Sequence, residues 1–344
     1  MTTPALPRSA AHASHVLDRC RALVRPALRE AVGRLHPWVG EMAGYSFGWC
    51  EVGGAPVAGS GGKGVRQALA VLGAEAAGAP GRAGVPAAVA VELVHAFSLL
   101  HDDIMDGDPV RRSRPAVWKA YGTGPAVLAG DALFALAVQT LAAAPGGPGA
   151  VGLLSAALGD LVRGQADDLL FAERPWTGPR RVRPDEYRAM AEGKTGALLG
   201  CAAALGAELG GAPSATVTAL DRMGRRLGTA FQIVDDVLGL WGDPTVTGKP
   251  VHGDLRARKK TLPVLLALDS PSPPARHLAA LLEADGDAAE VAELVDAAGG
   301  RTAALGEARR NVDAVEAALA SAALEESDAA GLRSLLHFLV DRDL

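Results

Sequence analysis

Apolar residues recur with a helical period along most of the chain. Spacings of three, four and seven residues predict amphipathic helices, and the alternation typical of strands is almost absent. The predicted helices span His15–Leu35, Gly64–Ala76, Val85–Met105, Ala126–Ala143, Val151–Ala172, Pro184–Leu209, Ala215–Leu240 and Leu255–Leu268. Several shorter helical segments follow them toward the C-terminus. Clusters of Gly and Pro separate them, none long enough for an interdomain linker. The pattern predicts an all-α protein, a single large helical bundle over residues 15–344 after a disordered tail over residues 1–14.

Composition agrees with a helical protein of a reducing compartment. Apolar residues make up 49% of the 344 residues, and Ala and Leu, which are strong helix formers, are abundant among them. A net charge of −5 argues against nucleic acid as the main partner. Cys20, Cys50 and Cys201 lack metal-type spacing and cannot all pair, which fits the cytoplasm. The N-terminal segment is not patterned as a secretory signal, and we expect no membrane span, because Glu92 and His95 interrupt the most apolar stretch.

Two aspartate pairs lie on apolar helical stretches, Asp102-Asp103 and Asp235-Asp236. Adjacent carboxylates are unfavourable in apolar surroundings unless a cation or hydrogen bonds compensate them. Asp106 follows Asp102 by four residues, so both side chains project from one face of the helix. Oxygen ligands favour a hard cation, and Mg²⁺ typically binds a few carboxylates together with substrate phosphates. The two pairs therefore predict one cation cluster shared by two helices.

Basic side chains accompany the first aspartate pair. Arg111, Arg112 and Arg114 form a cluster suited to bidentate recognition of phosphate. Lys63 and Arg66 follow two glycines at a predicted helix start, where backbone amide groups also favour anions. Carboxylates, a divalent metal and arginines together are typical of a site for a diphosphate.

Eight motifs, taken in order, carry a resemblance to a known family. They are Gly62-Lys63 with Arg66, His95, Asp102-Asp103-x-x-Asp106 with Arg111-Arg112, Gly164-Gln165-x-x-Asp168, Gly193-Lys194-Thr195, Phe231-Gln232-x-x-Asp235-Asp236, Gly248-Lys249, and Gly253-Asp254-Leu255 with Lys259-x-Thr261-Leu262-Pro263. Their order over about residues 60 to 265 resembles the trans-isoprenyl diphosphate synthases, or polyprenyl synthetases. The resemblance implies the isoprenoid synthase type of helical bundle, with a central active-site cavity. It also implies a cytoplasmic homodimer that uses Mg²⁺, with three ions in each active site.

The resemblance assigns roles to individual residues. The metal ligands that it implies are Asp102, Asp106 and Asp235. The residues implied to bind the homoallylic diphosphate are Lys63, Arg66, His95 and Arg112, and those implied to face the allylic diphosphate are Arg111, Lys194, Lys249 and Lys259. The implied catalytic residues are Asp103, Lys194, Thr195, Gln232 and Asp236. By contrast, we expect Lys260, like Arg256 and Arg258, to be a solvated neighbour of these groups.

The implied reaction is a head-to-tail condensation driven by ionisation. The allylic diphosphate departs, isopentenyl diphosphate attacks the remaining carbocation through its double bond, and a proton is lost. The chain departs from the family pattern at two positions. Gly64 stands where arginine often follows the motif lysine, and Gly239 stands where a third aspartate is expected after Asp235 and Asp236. The second departure puts the strength of the third metal site in question.

Product length in this family is set by residues just before the first aspartate motif. Ser98, four residues before Asp102, lies about 40° from it around the helix, and a serine there leaves the product tunnel open. Phe97, one residue earlier, is bulky enough to form a deeper floor, or else belongs to the ordinary core. This pattern resembles geranylgeranyl diphosphate synthases, with a twenty-carbon product.

Three other functions share part of this pattern. A farnesyl diphosphate synthase would use the same chemistry and stop at fifteen carbons. A class I terpene cyclase also uses the first aspartate motif, but it has no use for Lys63, Arg66 and His95, because it binds no homoallylic partner. A non-catalytic subunit of another synthase is weakly favoured by Gly64 and Gly239, whereas the two intact aspartate pairs argue against it.

Overall fold

The computed structural model describes residues 8–57, 62, 64–243, 251–322, 324 and 329–336. Its helices are α1 (Arg8–Gly33), α2 (Pro37–Ser46), α3 (Val65–Ala76), α4 (Val85–Met105), α5 (Val117–Tyr121), α6 (Thr123–Ala142), α7 (Gly147–Ala172), α8 (Pro184–Ala191), α9 (Ala197–Leu209), α10 (Ser214–Trp241), α11 (Gly253–Arg256), α12 (Leu262–Leu268), α13 (Pro273–Glu283), α14 (Ala288–Ala297), α15 (Gly300–Ser321) and α16 (329–336). A 3₁₀ turn (Gly81–Gly84) precedes α4, and a π-helical turn (Glu192–Gly196) joins α8 to α9. In these residues the strands are β1 (Val110–Arg111) and β2 (Arg114–Pro115), which form one short antiparallel hairpin. The prediction of an all-α fold is confirmed.

The predicted helix bounds hold where the sequence supplies clear ends and fail where it does not. Helix α4 has the predicted bounds, whereas α2 was not predicted. Helix α1 begins at Arg8, so residues 8–14 of the predicted disordered tail are helical, in keeping with the helix propensity of their alanines. The continuous helix predicted over Leu255–Leu268 is wrong. The chain leaves helical geometry after Arg256, and Pro263, which fits only the first turn of a helix, starts α12 anew.

The described chain divides into two compact units. The first comprises residues 8–156, 201–221 and the described residues from 322 to 336. Its central helix is α4, which packs against α1, α3 and α6. Glycines bring α3 and α9 close together: a Cβ atom on Gly206 would lie 2.8 Å from the carbonyl carbon of Ala70, and one on Gly73 would lie 3.2 Å from that of Ala203. These contacts fix the position of α3, whose first turn carries Arg66.

The second unit comprises residues 157–200, 222–243 and 251–321. Helix α12 packs against α8 and α15 in this unit. One buried apolar cluster joins these helices to α10 through residues that include Tyr187, Met190, Ile233, Leu262 and Ala308. The cluster holds in place the helices on which the second aspartate pair and its hydrogen-bond partners lie.

Among the residues that the structure describes, two helical stretches are long and apolar enough to cross a membrane when judged by length and composition alone. They are Gly81–Met105 and Thr123–Ala142, and 56% and 39% of their most apolar windows are buried within the protein. Buried core helices of soluble proteins have the same composition. The absence of a membrane span therefore stays a prediction, as does the cytoplasmic location.

Candidate active site

In the first unit, cationic side chains surround a partly buried carboxylate. Arg66 Nη1 lies 3.4 Å from His95 Nε2. The Gln67 amide donates to Glu92 Oε1 at 3.3 Å, and burial raises the pKa of Glu92, although Arg66 and Arg112 oppose the shift. Burial, then the charges of Arg66 and Arg112, lowers the pKa of His95 well below its usual value, so its ring is neutral. The structure thus brings together three of the four residues predicted to bind one diphosphate. The fourth, Lys63, lies outside the described residues.

A strained turn presents Arg112. Arg112 and Ser113 both have positive φ angles, 51° and 61°, in the two-residue turn between β1 and β2. Such turns favour Asn or Gly, and side chains held in this conformation are found most often at functional sites. The Arg112 guanidinium packs on Gly62, where a Cβ atom would lie 2.8 Å from Nη2. A glycine in the predicted Gly-Lys motif therefore leaves room for the arginine.

The first aspartate motif closes α4. Asp106 is the C-cap residue, its amide donates to the carbonyl of Asp102, and the two side chains lie one turn apart on the same face. Asp102 is partly exposed and Asp106 exposed, as metal ligands must be. The carbonyl end of a helix carries partial negative charge, which disfavours carboxylates there and favours a cation beside them.

Asp103, between these two, points into the protein and holds an arginine. Arg111 Nε and Nη2 both lie 2.6 Å from Asp103 Oδ1, and the Asp103 side chain is 4% exposed. Burial raises the pKa of Asp103, and the Arg111 guanidinium opposes this. Asp103 is thus engaged within the protein, and its contact fixes the direction in which the remaining Arg111 donors point.

Phe97 and Ser98 lie on different faces of α4. The Ser98 hydroxyl is buried and donates to the carbonyl of His95 at 3.0 Å. The Phe97 ring packs edge-on against His101, with 4.9 Å between ring centroids, and 5.7 Å from the centroid of Phe134 on α6. Phe97 therefore belongs to an aromatic cluster between α4 and α6, which is compatible both with a tunnel floor and with ordinary packing.

In the second unit, glycines bring α7 against the π-helical turn. A Cβ atom on Gly164 would lie 2.8 Å from the carbonyl carbon of Gly193, so two of the predicted glycine motifs meet at one backbone contact. Single π-turns within helices frequently mark functional sites. Here the turn carries Lys194 and Thr195, and Lys194 Nζ lies 2.5 Å from Asp168 Oδ2 on α7.

The second aspartate of the other pair anchors a hydrogen-bond chain. The Thr195 hydroxyl donates to Gln232 Oε1 at 2.7 Å, and Gln232 Nε2 donates to Asp236 Oδ1 at 3.2 Å. The amide of Leu262 donates to Asp236 Oδ2 at 2.9 Å. Burial raises the pKa of Asp236 to about 7, although the neighbouring Tyr187 hydroxyl and the Leu262 amide oppose this shift. Asp236 thus orients Gln232 and Thr195, while the adjacent Asp235 is exposed.

The glycine that replaces the third aspartate of this motif lies against another carboxylate. A Cβ atom on Gly239 would lie 2.7 Å from Asp254 Cγ and would overlap its carboxylate oxygen. Asp254 also raises the pKa of Asp236 through its charge. A carboxylate from the Gly253-Asp254-Leu255 motif thus occupies the space next to the position where the family expects one.

The lysines after this motif differ from one another. Lys259 is half-buried, and Lys249 lies outside the described residues. The expectation that Lys260 is solvated is wrong: it is 6% exposed, and its ammonium lies 3.8 Å from the ring centroid of Trp176. Its long aliphatic stem permits this burial, which lowers the pKa of Lys260 to about 8.

Sequence reasoning missed four residues that organise these groups. In the sequence, Glu92 only interrupts an apolar stretch, and Asp168 and Asp254 lie within motifs that give them no role. Tyr187 is 1% exposed beside Asp236, and no sequence motif singles it out. The position of Glu92 in an apolar helix is a signal that could have identified it, because a buried carboxylate needs a hydrogen-bond or ionic partner.

The donor set fits a hard divalent cation. Among the described residues, no three His, Cys, Asp or Glu side chains are arranged to hold a metal ion by themselves. Asp102 and Asp106 supply two carboxylates from one helix face, and Mg²⁺ usually completes its shell with water and substrate phosphates. Two carboxylates on one helix face, with Arg111 nearby, therefore suit a metal that arrives with a phosphorylated substrate.

The all-α fold, the outward-facing Asp102 and Asp106, and the Asp103–Arg111 pair are those expected of a prenyltransferase of the isoprenoid synthase type. A sequence profile of the polyprenyl synthetase family matches residues 54–298. The chain belongs to this family, whose members use Mg²⁺.

Individual relatives are similar over nearly the whole chain. The (2E,6E)-farnesyl diphosphate synthase of Mycobacterium tuberculosis is 44% identical over 337 residues, which cover 95% of this chain and 92% of the relative. The geranylgeranyl diphosphate synthase of the same organism is 45% identical over 315 residues, 89% of each chain. The crystal structure of a polyprenyl synthetase from Streptomyces coelicolor A3(2) superposes with a TM-score of 0.88 at 44% identity and covers 95% of this chain and 99% of the other.

Proposed function

We propose that the protein is a Mg²⁺-dependent trans-prenyl diphosphate synthase that condenses isopentenyl diphosphate with an allylic diphosphate. The observation that carries this proposal is that the three aspartates of the first motif point in different directions. Asp102 and Asp106 face outward from the end of α4, whereas Asp103 turns inward and holds Arg111. That arrangement suits a metal-bound diphosphate contacted by an arginine.

Asp102, Asp106 and Asp235 would hold Mg²⁺, with three ions in each active site. When bound, the ions stabilise the charge that develops on a departing diphosphate. Arg111, Lys194, Lys249 and Lys259 would bind the same allylic diphosphate through charge-assisted hydrogen bonds. Asp168 and Asp103 act as positioning residues, because they fix the Lys194 ammonium and the Arg111 guanidinium.

Lys63, Arg66, His95 and Arg112 would bind the diphosphate of isopentenyl diphosphate. Because His95 is neutral, it contributes one N–H donor rather than a charge, and a bound diphosphate would favour its protonation.

Thr195 and Gln232 present oxygen dipoles that can stabilise a carbocation. Their orientation is set by the buried Asp236, which contacts Gln232 directly. Asp236 accordingly acts as a positioning residue, through Gln232 and Thr195, rather than by contact with the substrate.

The proposed product is geranylgeranyl diphosphate, with farnesyl diphosphate as the alternative. Ser98 is small and lies close to the Asp102 face of α4, and the bulky Phe97 would form the floor. Both a farnesyl and a geranylgeranyl synthase are similar to this chain at nearly equal identity, so similarity favours neither product.

We also propose a cytoplasmic homodimer. Helix α6 exposes three large apolar side chains, Val127, Leu128 and Phe134, at 39%, 50% and 39%. An exposed apolar face on one helix is typical of an interaction surface, and a second copy would cover it. Sedimentation velocity of the wild type and of Leu128→Glu tests this: the wild type should sediment as a dimer and the variant as a smaller species.

Release of inorganic diphosphate tests the function. With Mg²⁺, release should require isopentenyl diphosphate and geranyl diphosphate together. A terpene cyclase would release diphosphate from the allylic substrate alone, and a non-catalytic subunit from neither. Asp102→Asn should abolish release, whereas the matched control Asp296→Asn, on the exposed surface of α14, should retain it. Release in Asp102→Asn at the wild-type rate would contradict the assignment of the motif.

A further inference from the structure

Three arginines from three helices line a groove in the second unit. Arg188 lies on α8, Arg226 on α10 and Arg310 on α15, and Glu307, Asn311 and Ala314 complete the lining. The groove is shallow and open to solvent, with a volume of about 330 Å³. The four residues from α15 are spaced so that they share one face of that helix.

The only carboxylate in this lining is already engaged. Arg188 Nε and Nη2 donate to the two oxygens of Glu307 at 2.6 and 2.8 Å, and the Glu307 side chain is 8% exposed. Asn311 Nδ2 donates to the Glu307 carbonyl, which ties the same turn of α15 together. One wall of the groove is therefore rigid, and its negative charge is neutralised by Arg188.

Two positive charges remain unbalanced in the lining. Arg310 Nη2 lies 3.8 Å from a Glu307 oxygen that Arg188 already occupies, and its side chain is 70% exposed. Arg226 is exposed on α10, and no ion pair joins it to another residue of the described ranges. A purely structural ion pair between α8 and α15 needs only Arg188 and Glu307. Two further arginines add repulsion to it without adding a partner.

We propose that this arginine groove is an anion-binding site for a phosphate- or diphosphate-bearing ligand. Guanidinium groups bind phosphate oxygens in a bidentate manner, and a dianionic group matches the two excess charges. Ala314, one turn beyond Arg310, leaves space where a longer side chain would fill the groove. The ligand is either a soluble phosphate compound or the headgroup of an anionic phospholipid. The proposal does not depend on the function proposed above.

The test compares two pairs of substitutions on the same helices. Arg226→Gln with Arg310→Gln removes the excess charge from the groove. The matched control, Arg222→Gln with Arg309→Gln, removes two exposed arginines of α10 and α15 that do not line the groove. All four side chains are exposed, so both variants should fold, and Arg188 is left in place because it satisfies the buried Glu307.

Two probes distinguish the possible sources of the anion. Inorganic diphosphate is titrated into each protein by calorimetry in the presence of EDTA, and vesicles of phosphatidylcholine with phosphatidic acid are used in a co-sedimentation assay. Binding elsewhere on the protein is common to the three proteins and cancels in the comparison. The groove variant should bind at least one probe more weakly by roughly tenfold or more, since charge-assisted hydrogen bonds are lost, and the control should bind like the wild type.

The outcomes either assign the ligand or overturn the proposal. An effect on diphosphate alone assigns a soluble ligand, and an effect on vesicles alone assigns a lipid headgroup. Equal weakening in the groove variant and the control would reduce the site to general surface charge and overturn the proposal. Wild-type binding of both probes by the groove variant, or no binding of either probe by the wild type, would also overturn it.

Discussion

The contact between Gly239 and Asp254 predicts that alanine at position 239 of α10 loses the stability that alanine gains at helical glycines with open space around them. A methyl group on Gly239 would lie 2.7 Å from Asp254 Cγ, so the Asp254 carboxylate would have to retreat by roughly 1 Å to reach ordinary van der Waals contact. The overlapping atoms are the end of the Asp254 side chain, whose Cβ would stay at 3.5 Å, in ordinary contact, so a rotation away from its preferred rotamer at about 0.5–1.5 kcal/mol makes room. In the opposite direction, alanine favours a helix over glycine by up to about 1 kcal/mol.

A double-mutant cycle separates the cost of the overlap with Asp254 from the helix-propensity gain of alanine. In the wild type the two terms of Gly239→Ala nearly cancel, so the free energy of unfolding should change by no more than about 1 kcal/mol. In an Asp254→Ala background the overlap is gone, so the same substitution should stabilise by up to about 1 kcal/mol. The coupling energy between the two positions is then about 0.5–1.5 kcal/mol.

The assay is urea unfolding of the four proteins of the cycle, followed by circular dichroism. Gly152→Ala is the matched control, because Gly152 is a helical glycine of α7 with open space around its Cβ position. It should show only the helical gain. A coupling energy near zero, or a Gly239→Ala protein as stable as Gly152→Ala, would refute the reasoning.

Gly239→Asp, which restores the usual family residue, should have a lower free energy of unfolding than Gly239→Ala, since it adds a negative charge beside Asp254.

Three further predictions follow from the site. Phe97→Ala should lengthen the prenyl product in mass spectra, and an unchanged distribution would remove Phe97 from the tunnel floor. Arg111→Met leaves the Asp103 carboxylate, which is 4% exposed, without its cation. It should lower the free energy of unfolding in urea by about 3–5 kcal/mol. Asp103→Asn should cost less, because it leaves an arginine that can reach water. Since burial lowers the pKa of Lys260 to about 8 from 10.5, the folded protein binds fewer protons than the unfolded chain between those values. The stability of the wild type relative to Lys260→Met should therefore rise from about pH 8 to about pH 10, and a constant difference would contradict the burial.

Local signals in the sequence were sufficient for much of the fold and for the family. The period of apolar residues fixed α4 to the residue, because the motif that ends it, Asp106-Gly107, also ends the helical pattern. The spacing of Asp102 and Asp106 placed both on one face, as observed. The π-helical turn at Lys194 was not predicted, because nothing in the local sequence indicates that Gly193 will lie against Gly164, which is distant in sequence.

Contacts between distant residues account for the remaining differences. Nothing near Lys260 in the sequence indicates that Trp176 will lie against its ammonium. Gly239 looked like a lost ligand, and only the fold reveals that Asp254 fills the adjacent space. Asp103 and Asp236 were grouped with the catalytic residues, whereas their hydrogen bonds to Arg111 and Gln232 are those of positioning groups.

The most direct test of the central claim is the product formed by the purified protein. It is incubated with Mg²⁺, isopentenyl diphosphate and, separately, dimethylallyl, geranyl or farnesyl diphosphate, and the products are analysed by mass spectrometry. A dominant twenty-carbon diphosphate from every primer is the predicted result. A product that stops at fifteen carbons would retain the reaction and refute the Phe97 floor. A cyclised hydrocarbon formed from the allylic substrate alone, or no condensation with any primer, would contradict the function itself.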